Sequence, residues 1–145
     1  MNEQPHLVLL DDDYCFACGS RNPLGLHLRF TVSGDEVVAQ FTPGPHLQGF
    51  AGLLHGGIAA TVLDDVMNNL VARMRGRMVV SGSLEVRFLK PVQLGPALEC
   101  RARLVQERGR FFRAEAELRV RGENEVLVAG NCLMVEVGEE PPVAD

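Results

Sequence analysis

The sequence predicts an α+β roll in which about six antiparallel strands curve around one long central helix. Three observations predict it. A single segment, residues 56–75, repeats its apolar residues with helical period. Runs that alternate every second residue flank it, two before and four after. Strands and helices do not take turns along the chain, which excludes a doubly wound α/β arrangement. An antiparallel sheet with one buried face must cover that face, and a helix of roughly 30 Å is about the right cover.

The elements follow in order. Residues 1–14 and 138–145 are polar and proline-bearing and read as tails on a single domain, residues 15–137. Cys15 to Gly25 holds Gly19, Ser20, Asn22, Pro23 and Gly25, and reads as loop. His27 to Val32 alternates as a strand, Val37 to Thr42 is a second, and Ser33-Gly34-Asp35 turns between them. Pro43-Gly44-Pro45 ends the pair. A glycine-spaced loop, Gly49-Phe50-Ala51-Gly52, leads to His55-Gly56-Gly57. From there Ile58, Val62, Val66 and Leu70 recur every fourth residue, with Ala59, Leu63 and Met67 beside them. Arg73 and Arg75 suit the negative end of this helix, and Gly76 can stop it.

Strands fill the remainder. Val79 to Leu89 sets Val80, Gly82, Leu84, Val86 and Phe88 against Ser81, Ser83, Glu85 and Arg87. Pro91 and Gly95-Pro96 break the chain before Leu98 to Gln106. Arg108-Gly109-Arg110 is a tight turn. Phe112, Ala114, Ala116, Leu118 and Val120 then alternate with Arg113, Glu115, Glu117 and Arg119 as a half-exposed strand. Gly122 to Asn124 turns the chain into Val126 to Val137, the most apolar strand.

With 145 residues and 46% hydrophobic content, the chain can bury a core without disulfides or metal. A net charge of -5 argues against nucleic-acid binding. No apolar run approaches the ~20 residues of a membrane span. The opening residues have no basic start and run into Asp11-Asp12-Asp13, unlike a signal peptide. A soluble, cytoplasmic protein is expected. Cys15, Cys18, Cys100 and Cys132 then read as reduced thiols. Cys15 and Cys18 form a C-x-x-C, but no second close pair completes a zinc site. A structural role is the expectation for that pair, with metal binding and redox sensing as lesser readings; no metal and no cofactor are expected.

Familiar catalytic motifs are absent: no G-x-S-x-G, no P-loop, no G-x-G-x-x-G and no H-E-x-x-H. The chemistry-bearing segment is His55-Gly56-Gly57 followed by Asp64. Two glycines cost a helix interior roughly 1 kcal/mol each against alanine. At a helix start they leave free N–H donors and the positive dipole end open to a close-lying carbonyl, the makings of an oxyanion site. Asp64 lies two turns in, away from Val62 and Val66, with Asn68 on its face at i+4. Asp65, about 100° round the helix, is the rival carboxylate. A solvated surface charge is the usual reading of one aspartate, but mid-helix carboxylates in a largely buried helix need a reason to exist.

These residues resemble the hotdog-fold acyl-CoA thioesterases, in the branch of phenylacetic-acid-degradation proteins and human thioesterase superfamily members. The resemblance runs from about Cys15 to Val137. It rests on C-x-x-C-G, Asn22-Pro23-Leu24-Gly25-Leu26, the Gly-x-x-Gly-x-x-His-Gly-Gly run from Gly49 to Gly57, the aspartate nine residues after His55, and Phe88-Leu89-Lys90-Pro91. It implies a homodimer joined sheet edge to sheet edge, either as such or paired into a homotetramer. It implies an active site shared between subunits, where one supplies the helix N-terminus and the other the acid. By position, Gly56 would give the oxyanion N–H, with His55 and Gly57 shaping the loop. Asp64 would act as general base on water or as nucleophile, Ser81 would hold the attacking water, and Asn68 would support the acid. Many relatives carry Asn or Gln six residues before the histidine; here that position is Gly49, and Gln48 beside it is the candidate substitute, given a shift of the loop.

The implied reaction is hydrolysis of an acyl-CoA or related thioester. Thiolate leaves readily, so one carboxylate and one oxyanion site suffice, and an apolar setting can raise a carboxylate's pKa toward neutrality. Arg73, Arg75, Arg77, Lys90, Arg108 and Arg110 are candidates for the phosphates, each with ordinary solvated charge as the favoured reading. Phe50, Leu53, Leu54 and Met67 are candidates for an acyl pocket or, equally, for core. The alternative function is a non-catalytic protein that binds acyl thioesters or acyl carriers. Thioester hydration ranks lower because no second histidine lies on the helix, and an interaction module is the blandest reading. The polar face of Arg113, Glu115, Glu117 and Arg119 argues mildly against a large apolar contact between sheets.

Overall fold

Period-two alternation and one amphipathic helix produce the expected architecture in the computed structural model, which describes residues 12–138. The predicted tails lie outside the described residues except for 12–14 and 138. Six strands form one antiparallel sheet: β1 (Arg29–Ser33), β2 (Glu36–Phe41), β3 (Val79–Phe88), β4 (Leu98–Arg108), β5 (Phe111–Val120) and β6 (Val128–Glu136). Their order across the sheet is β1-β2-β4-β5-β6-β3. Helix α1 (Gly56–Arg75) packs over the sheet, and its passage carries the chain from the β1–β2 side to β3 at the opposite edge.

The helix begins and ends where the sequence predicts. Gly76 sits at φ 65°, the left-handed cap that stops a helix, and its N–H returns to the Ala72 carbonyl. Val62, Leu63, Val66, Met67, Leu70 and Val71 are fully buried against the sheet. Met67, a candidate for an acyl pocket, is therefore core. The sheet meets the helix with small side chains. Ala102, Ala116 and Gly130 stand opposite one another across β4, β5 and β6. A Cβ on Gly130 would lie 2.8 Å from Leu63 Cδ2 and 2.8 Å from the Glu85 carbonyl oxygen. Only a hydrogen fits there.

Strand ends differ from the sequence reading for local reasons. His27 has φ 53°, which is not extended, so the first strand starts two residues later, at Arg29. The first hairpin closes through Gly34-Asp35, with Ser33 paired to Glu36 and Gly34 at φ 64°. Gly109 at φ 60° does the same between Arg108 and Phe111. A single 3-10 turn, Pro45–Leu47, follows Pro43-Gly44, where the sequence reading has only a break. The last strand begins at Val128 because the Leu127 carbonyl accepts from the Leu89 and Lys90 N–H groups and leaves the ladder.

The largest difference lies in β3. Simple alternation puts Ser81 on the face opposite Val80, Leu84, Val86 and Phe88. The register slips between Ser81 and Ser83, so Gly82 is an extra residue. Ser81 stands opposite buried Met134, whereas Leu84 stands opposite buried Cys132. Directly paired residues share a face. The bulge thus turns Ser81 and Leu84 alike toward the helix and sends Val80 to the outer face.

The Leu63–Gly130 contact makes Gly130→Ala a sharp probe. Overpacking of this kind costs about 1–3 kcal/mol. Chemical denaturation is expected to show a lower midpoint with unchanged slope; an unchanged midpoint would mean that the helix does not sit this close to β6.

Candidate active site

The start of α1 is shaped by one histidine and three glycines. His55 is the N-cap, and its Nδ1 accepts the Gly57 N–H at 2.9 Å. That bond requires the Nε2 tautomer for a neutral ring. The His55 carbonyl accepts from Ile58 and Ala59 at 3.0 and 3.1 Å. A Cβ at Gly57 would meet the His55 ring at 3.1 Å, and one at Gly49 would meet the His55 Cα at 3.1 Å. At Gly56 a Cβ would meet the Phe88 ring at 3.3 Å. Among the described residues, the Gly56 N–H has no acceptor. It is the uncommitted donor at the positive end of the helix.

Asp64, Asn68 and Ser81 come together two turns further on. Ser81 Oγ donates to Asp64 Oδ1 at 2.5 Å. Asn68 Nδ2 donates to Ser81 Oγ at 2.8 Å, to the Asp64 carbonyl at 2.7 Å and to Asp64 Oδ1 at 3.4 Å. The amide thus orients the hydroxyl, and the hydroxyl orients the carboxylate. The β3 bulge makes this possible, since it aims Ser81 inward. The group borders an open depression of about 310 Å³, lined by Gly57, Ala60, Thr61, Asp64 and Ser81 to Leu84. Behind it, Cys132 is buried on β6, and burial pushes its thiol above the ordinary range.

Some candidates take other places. Gln48 Oε1 accepts the Gly52 N–H at 2.8 Å and so closes its own loop. Leu54 is buried, Leu53 is half-buried and Phe50 is 85% exposed. Arg75 pairs with Glu107 at 2.6 Å, Arg77 with Glu136 at 2.7 Å and Lys90 with Glu125 at 3.6 Å. Arg110 donates to the Glu136 carbonyl, and the Arg73 guanidinium lies 4.8 Å over the Phe30 ring. Arg108 makes no ion pair among the described residues and stays a candidate cation.

Sequence reasoning missed two features. Thr61, which lines the depression, sits at i−3 from Asp64 and donates to the Gly57 carbonyl; its spacing was the available signal. Asp65 does not share the Asp64 site. Its Oδ1 accepts from Cys15 Sγ and Cys18 Sγ at 3.7 and 3.8 Å. Burial, then the Asp65 charge and Cys15, push the Cys18 thiol up. The 100° offset between the two aspartates signals separate sites, but nothing local in the sequence says what Asp65 meets.

Comparison with known proteins identifies the family and the fold. The family model described as the thioesterase superfamily matches residues 51–127, which span α1, β3, β4 and β5. Acyl-coenzyme A thioesterase THEM4 of Bos taurus is 28% identical over 127 residues, 86% of this chain and 52% of that protein. THEM4 of Rattus norvegicus is 25% identical over 114 residues, 79% of this chain and 49% of that protein. The chain thus spans about half the length of these relatives. Among solved structures, zebrafish thioesterase superfamily member 2 superposes with a TM-score of 0.71 at 18% identity, covering 93% of this chain and 94% of that one. A phenylacetic acid degradation-related protein of Ralstonia eutropha JMP134 gives 0.68 at 22% identity, covering 76% and 85%. At these identities the superpositions establish the hotdog fold.

The cap generates a direct expectation. His55→Ala removes the acceptor of the Gly57 N–H, and loss of an N-cap side chain costs about 0.5–2 kcal/mol. Thermal unfolding of the variant is expected a few degrees lower; an equal melting temperature would show that solvent satisfies Gly57 as well as the imidazole does.

Proposed function

This chain belongs to the thioesterase superfamily, and from that premise we propose that it hydrolyses acyl-CoA-type thioesters with Asp64 as the reacting carboxylate. The observation that carries the reading is the Asn68–Ser81–Asp64 chain of hydrogen bonds at the rim of an open depression. Ser81 and Asn68 hold one carboxylate oxygen in place and leave the other for water or for the acyl carbon.

In the water route, Asp64 takes a proton as the hydroxyl oxygen bonds the carbonyl carbon. Negative charge gathers on the carbonyl oxygen, where a preset N–H donor stabilises it. The C–S bond then breaks, the oxygen returns to a carbonyl, and the departing thiolate takes up a proton. In the nucleophilic route Asp64 bonds the acyl carbon, the C–S bond breaks and the thiolate leaves with a proton from solvent, and water then hydrolyses the resulting anhydride to free acid and the Asp64 carboxylate. Both routes need the same two groups, an N–H donor and the carboxylate, within reach of one carbon.

Within one chain the Gly56 N–H and Asp64 are eight residues apart along α1, about 12 Å at 1.5 Å per residue. That span is too long for one carbonyl. The reading therefore requires a second copy, whose Gly56 faces this chain's Asp64. Strand β3 offers the surface: it pairs only with β6 among the described residues, so its other edge is open. Val80, Leu84 and Phe88 are 40%, 38% and 59% exposed there. Unpaired edges with apolar side chains invite strand pairing. Phe50 and Phe88 near the helix start are apolar surface for the acyl chain, and Arg73 and Arg108, neither in an ion pair among the described residues, are candidate cations for the phosphates. The outer face of β2, β4 and β5 is instead a ladder of Arg/Glu pairs, among them Arg101 with Glu36 and Glu99, Arg103 with Glu115 and Arg119 with Glu117.

Thiol release from a panel of aliphatic and aromatic acyl-CoA substrates tests the proposal. Asp64→Asn is expected to lower kcat by about 10²–10⁴-fold, the usual worth of a positioned acid–base group, with the fold intact by circular dichroism. Undiminished turnover in that variant would remove Asp64 from the reaction. No release from any substrate by the wild type would favour an acyl-thioester binder instead. Leu84→Asp, which places a charge at the open β3 edge, is expected to abolish dimerisation and thiol release together; a fully active monomer in sedimentation would sink the shared site.

A further inference from the structure

The N-terminal loop brings a second set of reactive groups to α1, on the flank away from Ser81. Cys15 Sγ, Cys18 Sγ and an Asp65 carboxylate oxygen all lie within 4.8 Å of one another. We propose that Cys15, Cys18 and Asp65 bind one thiophilic divalent cation, zinc by ligand chemistry, in a site of two thiolates and one carboxylate with its fourth position open to solvent.

The distances fit that ion. Zinc holds sulfur at ~2.3 Å and carboxylate oxygen at ~2.0–2.2 Å in a tetrahedron, which sets the S···O edge at about 3.6 Å. The two observed S···O separations are 3.7 and 3.8 Å. An ion at the centre therefore needs little change in either S···O separation. The residue types fit as well: two soft thiolates with two residues between them select zinc over magnesium or calcium, which take oxygen.

The cluster is built rather than incidental. Gly19 N–H bonds the Cys15 carbonyl at 2.9 Å, and a Cβ at Gly19 would lie 2.4 Å from Cys15 N and 2.6 Å from the Asp13 carbonyl oxygen. The chain must reverse there without a side chain. Asp13 ties the same loop, accepting the Ser20 N–H at 2.8 Å and the Ser20 hydroxyl. The two residues between the cysteines are pinned in turn: the carbonyls of Phe16 and Ala17 accept from Leu26 and Leu28 at 2.8 and 3.0 Å, and Ala17 is buried. Both thiols therefore point at the helix from a fixed frame. On the helix, Asn69 Nδ2 donates to Asp65 Oδ2 at 3.3 Å and to the Asp65 carbonyl at 3.0 Å. That leaves Oδ1 aimed at the sulfurs, the outer-shell orientation that metal-binding carboxylates carry.

The alternative chemistry of the cluster is two S–H groups donating to one carboxylate oxygen. Thiols are weak donors to a carboxylate. A cation satisfies all three groups at once. The fourth position faces a cavity of about 460 Å³, lined also by Asp12, Tyr14, Asn69 and Arg73, with room for a bound water. The ion would fasten the loop ahead of β1 to the middle of α1. It is separate from thioester hydrolysis, and neither assignment depends on the other.

Cobalt spectroscopy on the reduced, chelator-stripped full chain tests the site. One Co²⁺ per chain is expected, with a sulfur-to-cobalt charge-transfer band and the visible bands of a tetrahedral ion, both removed by equimolar Zn²⁺. Zinc is also expected to raise the melting temperature. The Cys15→Ser/Cys18→Ser variant should lose the charge-transfer band. Asp65→Asn, close in shape and needing no refolding of the loop, should weaken binding at least tenfold. Wild-type protein that shows neither band nor zinc stabilisation overturns the proposal, whatever the variants do. So does equal affinity in Asp65→Asn, or a protein that loses two titratable thiols to a disulfide and, once reduced, holds no metal.

Discussion

The close approach of Leu63 to Gly130 fixes the rotation of the central helix, and the remaining geometry depends on it. A buried helix over a sheet can turn about its axis only if its contacts let it. Here a leucine side chain fills the place of a missing Cβ, in line with Ala102 and Ala116 on the neighbouring strands. Once Leu63 points at β6, the next two residues have no freedom of direction. At 100° per residue, Asp64 swings toward the β3 edge and Asp65 toward the N-terminal loop. Packing density, not electrostatics, is what delivers each carboxylate to its partners.

Those partners follow one pattern on both flanks. Asp64 with Asn68 and Asp65 with Asn69 are i, i+4 pairs in which the asparagine amide bonds both the carbonyl and the carboxylate of its aspartate. What each pair meets then differs in kind. Ser81, delivered by the β3 bulge, gives Asp64 a hydroxyl beside an open depression. The two cysteines, delivered by a loop folded around Gly19, give Asp65 a pair of thiols. Two adjacent residues of one helix thus serve two unrelated chemistries.

The front of the helix shows why glycine recurs there. A Cβ added at Gly49, Gly57 or Gly56 would come within 3.1, 3.1 or 3.3 Å of another group: the His55 Cα, the His55 ring and the Phe88 ring. The histidine occupies space that side chains at 49 and 57 would take, and its capping of Gly57 leaves the Gly56 N–H without an acceptor among the described residues. The glycine at position 49 is in this sense a packing residue. The neighbouring amide, Gln48, holds its own turn.

Much of this was legible in the residues alone. The bounds of α1, the hairpin glycines at 34 and 109 and the alternation of β5 depend on local period and backbone preference, which act over a few residues. Membership of the Asp64–Asn68 pair was legible for the same reason, because i, i+4 spacing is local. The orientation of Ser81 was not: an extra residue in a strand inverts every side chain before it, and only pairing with β6 reveals that Gly82 is extra. Nor was the meeting of Cys15 and Cys18 with Asp65, since closure of a loop about fifty residues long is decided by how Ala17, Leu26 and Leu28 bury against the core. Sequence by itself determined the elements and the chemical groups they carry, because short-range sterics and periodic burial set these. Tertiary structure alone decided which groups meet, because that follows from register and from the depth to which one helix settles on one sheet.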